Sequence, residues 1–266
     1  MKNSLKVAAI QAEVPFSWQK GEEQVRRLVE KAASKPVDLV GLPEDCVAPK
    51  EDIEKGYKPL EFLSSVAKNN SIYLFGANLV KEKNGDLYNI GFLFDRKGKL
   101  LLKHRKVVLT PLSTTKPGKN LEVVKTEFGI LSLLICKDAF HKYAAWFFDK
   151  LRRAGVELVL VPSLSINVSN SKYDIDLWVD SLKALSKWFY MAIVAPGTVG
   201  ENTSSFSSFG HALIIGAAGK IAEGSGNKEE ILRMTLNLNL LRDSRKKYES
   251  EWEPKDVPKT RIETIF

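Results

Sequence analysis

The chain has 266 residues, 44% of them apolar, and its 40 basic and 32 acidic side chains give a formal net charge of +8. That length and apolar content suffice for one large domain with a full core, while the longest apolar runs fall far short of the ~20 residues that cross a bilayer. Two cysteines, Cys46 and Cys136, rule out a disulfide framework. The start M-K-N-S-L-K-V-A-A-I lacks a signal peptide's long apolar region and cleavage site, so both thiols are expected to be reduced, in a cytoplasm. The densest basic groups, Lys103 to Lys106 and Arg242 to Lys247, carry no interleaved aromatics of the kind that stack bases. The charge therefore reads as a solvated surface, with neither nucleic acid nor membrane as a partner.

In chain order, Lys6 to Ala12 reads as a first strand and Gln19 to Ala33 as an amphipathic helix, with Val25, Leu28, Val29, Ala32 and Ala33 at helical spacing. Val37 to Leu42 is a short buried strand leading into Pro43-Glu44-Asp45, and Pro59 to Lys68 is a second helix. Ile72 to Val80 and Leu87 to Asp95 form a hairpin around Asn84-Gly85, followed by a strand at Leu100 to Lys103. After a loop over Leu109 to Asn120 the order repeats. Strands are expected at Leu121 to Thr126 and Ile130 to Cys136, a helix at His141 to Ala154, and a strand at Glu157 to Val161. A helix at Asp174 to Phe189 and a strand at Tyr190 to Ala195 follow, then strands at His211 to Ile215, Lys220 to Ala222 and Ile231 to Leu238. A short basic helix at Leu240 to Tyr248 completes a domain spanning residues 1–250, and 251–266 reads as an extended tail. Two rounds of strands and helices imply two packed mixed sheets with helices outside, an α/β fold.

Three post-strand positions carry chemistry. Glu44 follows the second strand, Lys106 follows the strand at Leu100 to Lys103, and Cys136 ends the run I-L-S-L-L-I-C. Sheets of this kind gather ligands at the carboxyl ends of their strands. The expected helix beyond Cys136 also suggests a lowered thiol pKa. Each residue has an ordinary alternative: a packing cysteine, a surface carboxylate, a solvated lysine. The three histidines, His104, His141 and His211, show no metal-ligand spacing.

Longer segments around these residues carry a resemblance. V-A-A-I-Q-A at the start, L-V-G-L-P-E ending at Glu44, K-H-R-K-V-V-L-T-P around Lys106, Pro117-Gly118, G-I-L-S-L-L-I-C-K-D ending at Asp138 and A-G-V-E-L-V-L-V-P-S ending at Ser163 resemble the landmarks of the nitrilase superfamily of carbon-nitrogen hydrolases. The likeness runs from Val7 to about Arg245. It implies a four-layer α-β-β-α sandwich and a Glu-Lys-Cys triad falling on Glu44, Lys106 and Cys136. It also implies hydrolysis of a small non-peptide amide or nitrile through a thioester, without metal or cofactor. Lys137, Asp138 and His141 become candidates for the oxyanion site or the pocket; Lys137 would suit a substrate carboxylate but reads equally as a solvent-facing lysine, and His141 reads as general acid, pocket wall or surface cap. The family's pairing habit implies a homodimer or larger assembly, with Trp178 and Trp188 either facing a partner or packing in the core, and the tail as a candidate docking arm.

The sequence departs from the family pattern in places. Val107 to Leu121 contains no acid where the family has a second glutamate; the nearest, Glu122, is displaced and reads equally as a surface residue. Ala139-Phe140-His141 follows Asp138 where the family has Arg, an aromatic and Pro, and Pro196-Gly197-Thr198 replaces a late asparagine. The alternatives to amide hydrolysis are therefore nitrile or N-carbamoyl hydrolysis on the same triad, or a binding scaffold without turnover.

Overall fold

Alternation along the strands decides the layering. In β1 (Ser4–Ala12), Leu5, Val7 and Ala9 face one way and Ala8, Ile10 and Ala12 the other, and all six are buried. A strand buried on both faces must be covered twice. The computed structural model describes residues 1–111, 113–168, 172–203 and 206–251. Over these, β1 is followed by α1 (Trp18–Ala33), β2 (Leu39–Gly41), α2 (Lys50–Glu54), α3 (Pro59–Asn70), β3 (Tyr73–Lys81), β4 (Leu87–Phe94) and β5 (Leu100–Arg105). The second round is β6 (Val123–Thr126), β7 (Gly129–Leu133), α4 (Ala144–Arg153), β8 (Leu158–Leu160), α5 (Lys172–Phe189) and β9 (Ala192–Ala195). The chain continues through β10 (Gly197–Thr203), β11 (Phe206–Phe209), β12 (Leu213–Ile215), β13 (Ile221–Glu223), β14 (Glu230–Asn237) and α6 (Leu238–Glu251).

Among the described residues there are two mixed sheets. One has eight strands in the order β11-β10-β1-β2-β3-β4-β5, with β14 also paired to β1; the other has six, β13-β12-β9-β8-β7-β6. Each contains a parallel run, β1-β2-β3 in the first and β7-β8-β9 in the second. Leu5, Val7, Ala9, Phe75 and Leu93 of the first sheet meet Leu131, Leu133, Leu158, Leu160 and Val194 of the second in one core. On the outer face of the first sheet, Val25, Leu28 and Val29 of α1 and Leu63, Val66 and Ala67 of α3 cover Ala8, Ile10, Val40 and Leu74. On the outer face of the second, Phe147, Phe148 and Leu151 of α4 and Trp178, Leu182 and Leu185 of α5 cover Leu134, Val159 and Ile193. The expected α-β-β-α sandwich is what forms. Each large apolar side chain so buried contributes ~1.5–3 kcal/mol.

Local chemistry fixes several boundaries. Ser17 caps α1 by accepting the Lys20 N–H, and Pro59 opens α3, where its missing donor costs nothing. The Asn84-Gly85 hairpin forms as read, with Gly85 at φ +85°. Other expectations fail. The helix after Cys136 starts at Ala144, not His141; a single 3-10 turn, Cys136–Asp138, stands in between. The sequence reading assigned no structure to 197–210, whose Gly, Ser and Thr residues hide the strands β10 and β11 from a hydrophobic-pattern argument. Trp178 is not a partner-facing residue: it is 1% exposed and its Nε1–H donates to the His211 carbonyl, whereas Trp188 is 65% exposed. The expected tail beyond Glu251 lies outside the described residues. Among those described, no helix is long and apolar enough to cross a membrane.

The two basic runs are taken apart by the fold. Lys103 and Arg105 point out and pair with Glu82, while His104 and Lys106 point in. Arg242 and Arg245 turn back onto Glu157 and onto the Phe128, Val156 and Arg152 carbonyls.

Candidate active site

The carboxyl ends of the two parallel runs face the same place. After β2 the chain turns through Pro43-Glu44-Asp45, and the Glu44 side chain is 2% exposed. Its Oε1 accepts from Lys106 Nζ at 2.6 Å and from Asn89 Nδ2 at 2.6 Å, and its Oε2 accepts the Leu164 N–H at 3.0 Å. Lys106 lies one residue beyond β5 on its inward parity, where its backbone N–H donates to the Asn89 carbonyl and its ammonium is drawn inside. Burial works against that charge, but the Glu44 carboxylate outweighs it and holds Lys106 above the usual lysine range.

Cys136 is brought in by the second sheet. The chain past β7 stays beside β8: the Leu134 N–H donates to the Leu160 carbonyl and the Cys136 N–H to the Pro162 carbonyl at 2.9 Å. Cys136 then adopts φ +47°, a left-handed conformation that L-residues adopt only when their surroundings impose it. The Ser163 hydroxyl and the Leu164 N–H act on the thiol and pull its pKa down. The expected lowering of its pKa does not occur. Burial pushes the thiol up, the Glu44 carboxylate adds to this, and Lys106, Ser163 and Leu164 recover only part, leaving it at about 11. No long helix points at the sulfur to offset that burial, since α4 begins eight residues on. Cys46 is an ordinary buried thiol, 2% exposed and pushed up by burial.

Of the remaining candidates, Asp138 is fully buried and holds the site's frame. Its Oδ1 accepts the Val107 and Val108 N–H groups at 3.1 and 2.6 Å, and its Oδ2 accepts the Ile135 N–H at 3.1 Å. One carboxylate thus ties the turn carrying Cys136 to the segment following Lys106. Lys137 follows Cys136 in the chain and is half-buried. His141 is half-buried too, with an Nδ1 that has no hydrogen-bond partner, and burial together with Lys137 and Lys142 holds its pKa below the usual imidazole value.

Four side chains here escaped the sequence reading. His104 is fully buried, with Nδ1 2.6 Å from Glu122 and Nε2 3.2 Å from Asp138. Burial opposes its charge, but the two carboxylates prevail and raise it to about 9. Glu122 is therefore not an idle surface residue. The signal was the parity of β5: Leu102, His104 and Lys106 alternate inward against Lys103 and Arg105. Ser163 was quoted only as part of a motif, and Asn89 had no signal at all. Asp45 was visible only as the neighbour of Glu44. Burial and the Glu44 charge push its carboxyl up to about 7, against the pull of Lys106.

The carbon-nitrogen hydrolase family model matches residues 6–246. The chain is 28% identical over 237 residues to the omega-amidase NIT2 of Xenopus tropicalis, covering 82% of this chain and 83% of that one. With the human omega-amidase NIT2 it shares 25% over 260 residues, covering 91% and 92%. Among solved structures, the nitrilase-superfamily protein Nit3 of Saccharomyces cerevisiae superposes with a TM-score of 0.82 at 23% identity, covering 96% of this chain and 97% of that one. A carbon-nitrogen hydrolase of Helicobacter pylori gives 0.84 at 20%, covering 95% and 96%. A mutant amidase of Nesterenkonia, whose active-site cysteine carries the Michael adduct of acrylamide, gives 0.76 at 19%, covering 94% and 100%. A family match over 6–246, on a sandwich that draws Glu44, Lys106 and Cys136 to one end of its sheets, has one reading: this chain belongs to the carbon-nitrogen hydrolases.

Proposed function

We propose that this chain hydrolyses a small carboxamide to a carboxylic acid and ammonia through a thioester on Cys136. The observation that carries the reading is the 2.6 Å contact between Lys106 Nζ and Glu44 Oε1, built beside a cysteine held at φ +47°. A thiol at about 11 is almost wholly protonated near neutrality, so it cannot wait as a thiolate. Glu44 takes the proton as sulfur attacks the carbonyl carbon. The negative charge that develops on the carbonyl oxygen meets the Lys106 ammonium and the backbone N–H of Lys137. Glu44 then delivers its proton to the departing nitrogen, which leaves as ammonia. Water attacks the thioester with Glu44 as base, the C–S bond breaks, and the acid departs as the thiol is restored.

The amide preference draws support from the omega-amidases among the relatives. Nitriles and N-carbamoyl compounds present the same electrophilic carbon and belong in the same screen. One observation favours a scaffold without turnover: the absence of any acid from Val107 to Leu121. Ammonia release from a panel of small primary amides decides between them. The hydrolase reading requires release by the wild type that Cys136→Ala abolishes. Release that persists in Cys136→Ala contradicts the thioester route, and no release from amides, nitriles or carbamoyl compounds contradicts hydrolysis.

A further inference from the structure

The turn at 43–48 leaves one conspicuous group without a partner. Groups around it are met: the Glu44 carboxylate by Lys106, Asn89 and Leu164, the Cys46 N–H by the Ala77 carbonyl, and the Val47 and Ala48 N–H groups by Asn78 Oδ1. The Asp45 Oδ1 is buried and has no hydrogen-bond partner. Asp45 adopts a left-handed backbone, φ +54°, and its carboxyl lies close enough to Glu44 and Lys106 for both charges to act on it. A second acceptor borders the same glutamate. Asn89 is 7% exposed and spends its Nδ2 on Glu44, and its Oδ1 is also buried without a donor.

Two buried acceptors without donors, one of them a carboxylate, are a cost that packing does not explain. In the same turn, the Glu44 carboxylate and the Cys46, Val47 and Ala48 N–H groups are all paired. Lys106 cannot serve as the missing donor to Asp45, since it is committed to Glu44 at 2.6 Å. What suits two oxygen acceptors beside the reacting carbon is a group with several N–H donors and a positive charge. We propose that Asp45, with the Asn89 Oδ1 beside Glu44, reads a protonated amino group on the substrate, so that the preferred amides carry a cationic substituent near the scissile carbonyl. This inference rests on the thiol-hydrolase reading of the same site.

The test reads charge selectivity at the sulfur without needing the substrate. Wild type, Asp45→Asn and Asp45→Glu are treated with cationic aminoethyl, neutral methyl and anionic sulfonatoethyl methanethiosulfonates. Mixed-disulfide formation at Cys136 is followed by peptide mass spectrometry, with Cys46 as the buried control. Asparagine tolerates the left-handed backbone and matches aspartate in size, so the neutral reagent should label Asp45→Asn within about threefold of wild type. The expected result is at least a tenfold fall in the cationic-to-anionic rate ratio in Asp45→Asn and retention of the wild-type preference in Asp45→Glu. An unchanged ratio in Asp45→Asn, with Cys136 labelled normally by the neutral reagent, overturns this inference and leaves the hydrolase reading standing. Failure of all three reagents to label wild-type Cys136 overturns the accessible nucleophile itself, and this inference with it.

Discussion

Two buried charge clusters flank β5, two residues apart, and they are built on opposite plans. At His104 both ring nitrogens have carboxylate partners, and Asp138 accepts three backbone N–H groups besides. At Lys106 the ion pair with Glu44 is equally close, but Asp45 Oδ1 and Asn89 Oδ1 next to it have no donors, and the thiol opposite is protonated. The first cluster spends every group on holding the chain; the second keeps groups in reserve for a ligand. A closed polar network stabilises and specifies a structure, whereas one left open is costly unless something completes it. The same parity of one strand delivers both, so the frame and the reacting groups are fixed together.

The widest separation between the clusters should appear in Cys136→Ala. It is expected to lower turnover by about 10⁴-fold or more with no loss of thermal stability, as measured by ammonia release and by calorimetry. Lys106→Met removes both the oxyanion partner and the partner of a buried carboxylate. Turnover should fall by about 10²–10³-fold, and stability by about 3–5 kcal/mol in urea titration. His104→Gln should reverse that balance, costing about 3 kcal/mol of stability, the low end because Glu122 keeps some access to water, with a smaller effect on kcat.

The pH dependence of stability separates the two clusters by range, since both groups are raised and stability falls with rising pH in each, but in different windows. His104 is raised from about 6.5 unfolded to about 9 folded, so its contribution is complete below pH 6.5 and is lost as pH rises through about 9. Asp45 is an acid raised to about 7, so the folded state holds its proton longer than the unfolded chain does. Stability therefore declines between about pH 4 and 7 and is flat above. Urea titrations across pH should lose the alkaline decline in His104→Gln and the acidic slope in Asp45→Asn. The smallest effect is reserved for the outward residues of β5: Glu82→Gln, which releases Lys103 and Arg105, should cost under about 1 kcal/mol and leave kinetics unchanged.

What the sequence yielded follows the same division. The two packed sheets were legible because two rounds of strands and helices must be layered, and the four-layer sandwich because the motifs resemble those of a known family; the same motifs singled out Glu44, Lys106 and Cys136 as the groups to look for. The His104 cluster was not read, although its parity with Lys106 was available, because a histidine in a basic run looks solvated until a strand turns alternate residues inward. Asn89 and Asp45 could not have been weighed at all. Whether an acceptor is satisfied depends on chain segments brought together from 44, 89, 106 and 164, and no local pattern encodes that meeting. The thiol misled for a related reason: a one-turn helix and a nine-tenths-buried sulfur reverse what a long helix after Cys136 would have done.

The most direct test of the account is peptide mass spectrometry of the wild type, quenched in acid during steady turnover of a primary amide. The peptide containing Cys136 is predicted to carry the acyl mass while Cys46 remains free. Turnover with no acyl mass on Cys136, and with full activity kept in Cys136→Ala, would contradict the account at its centre.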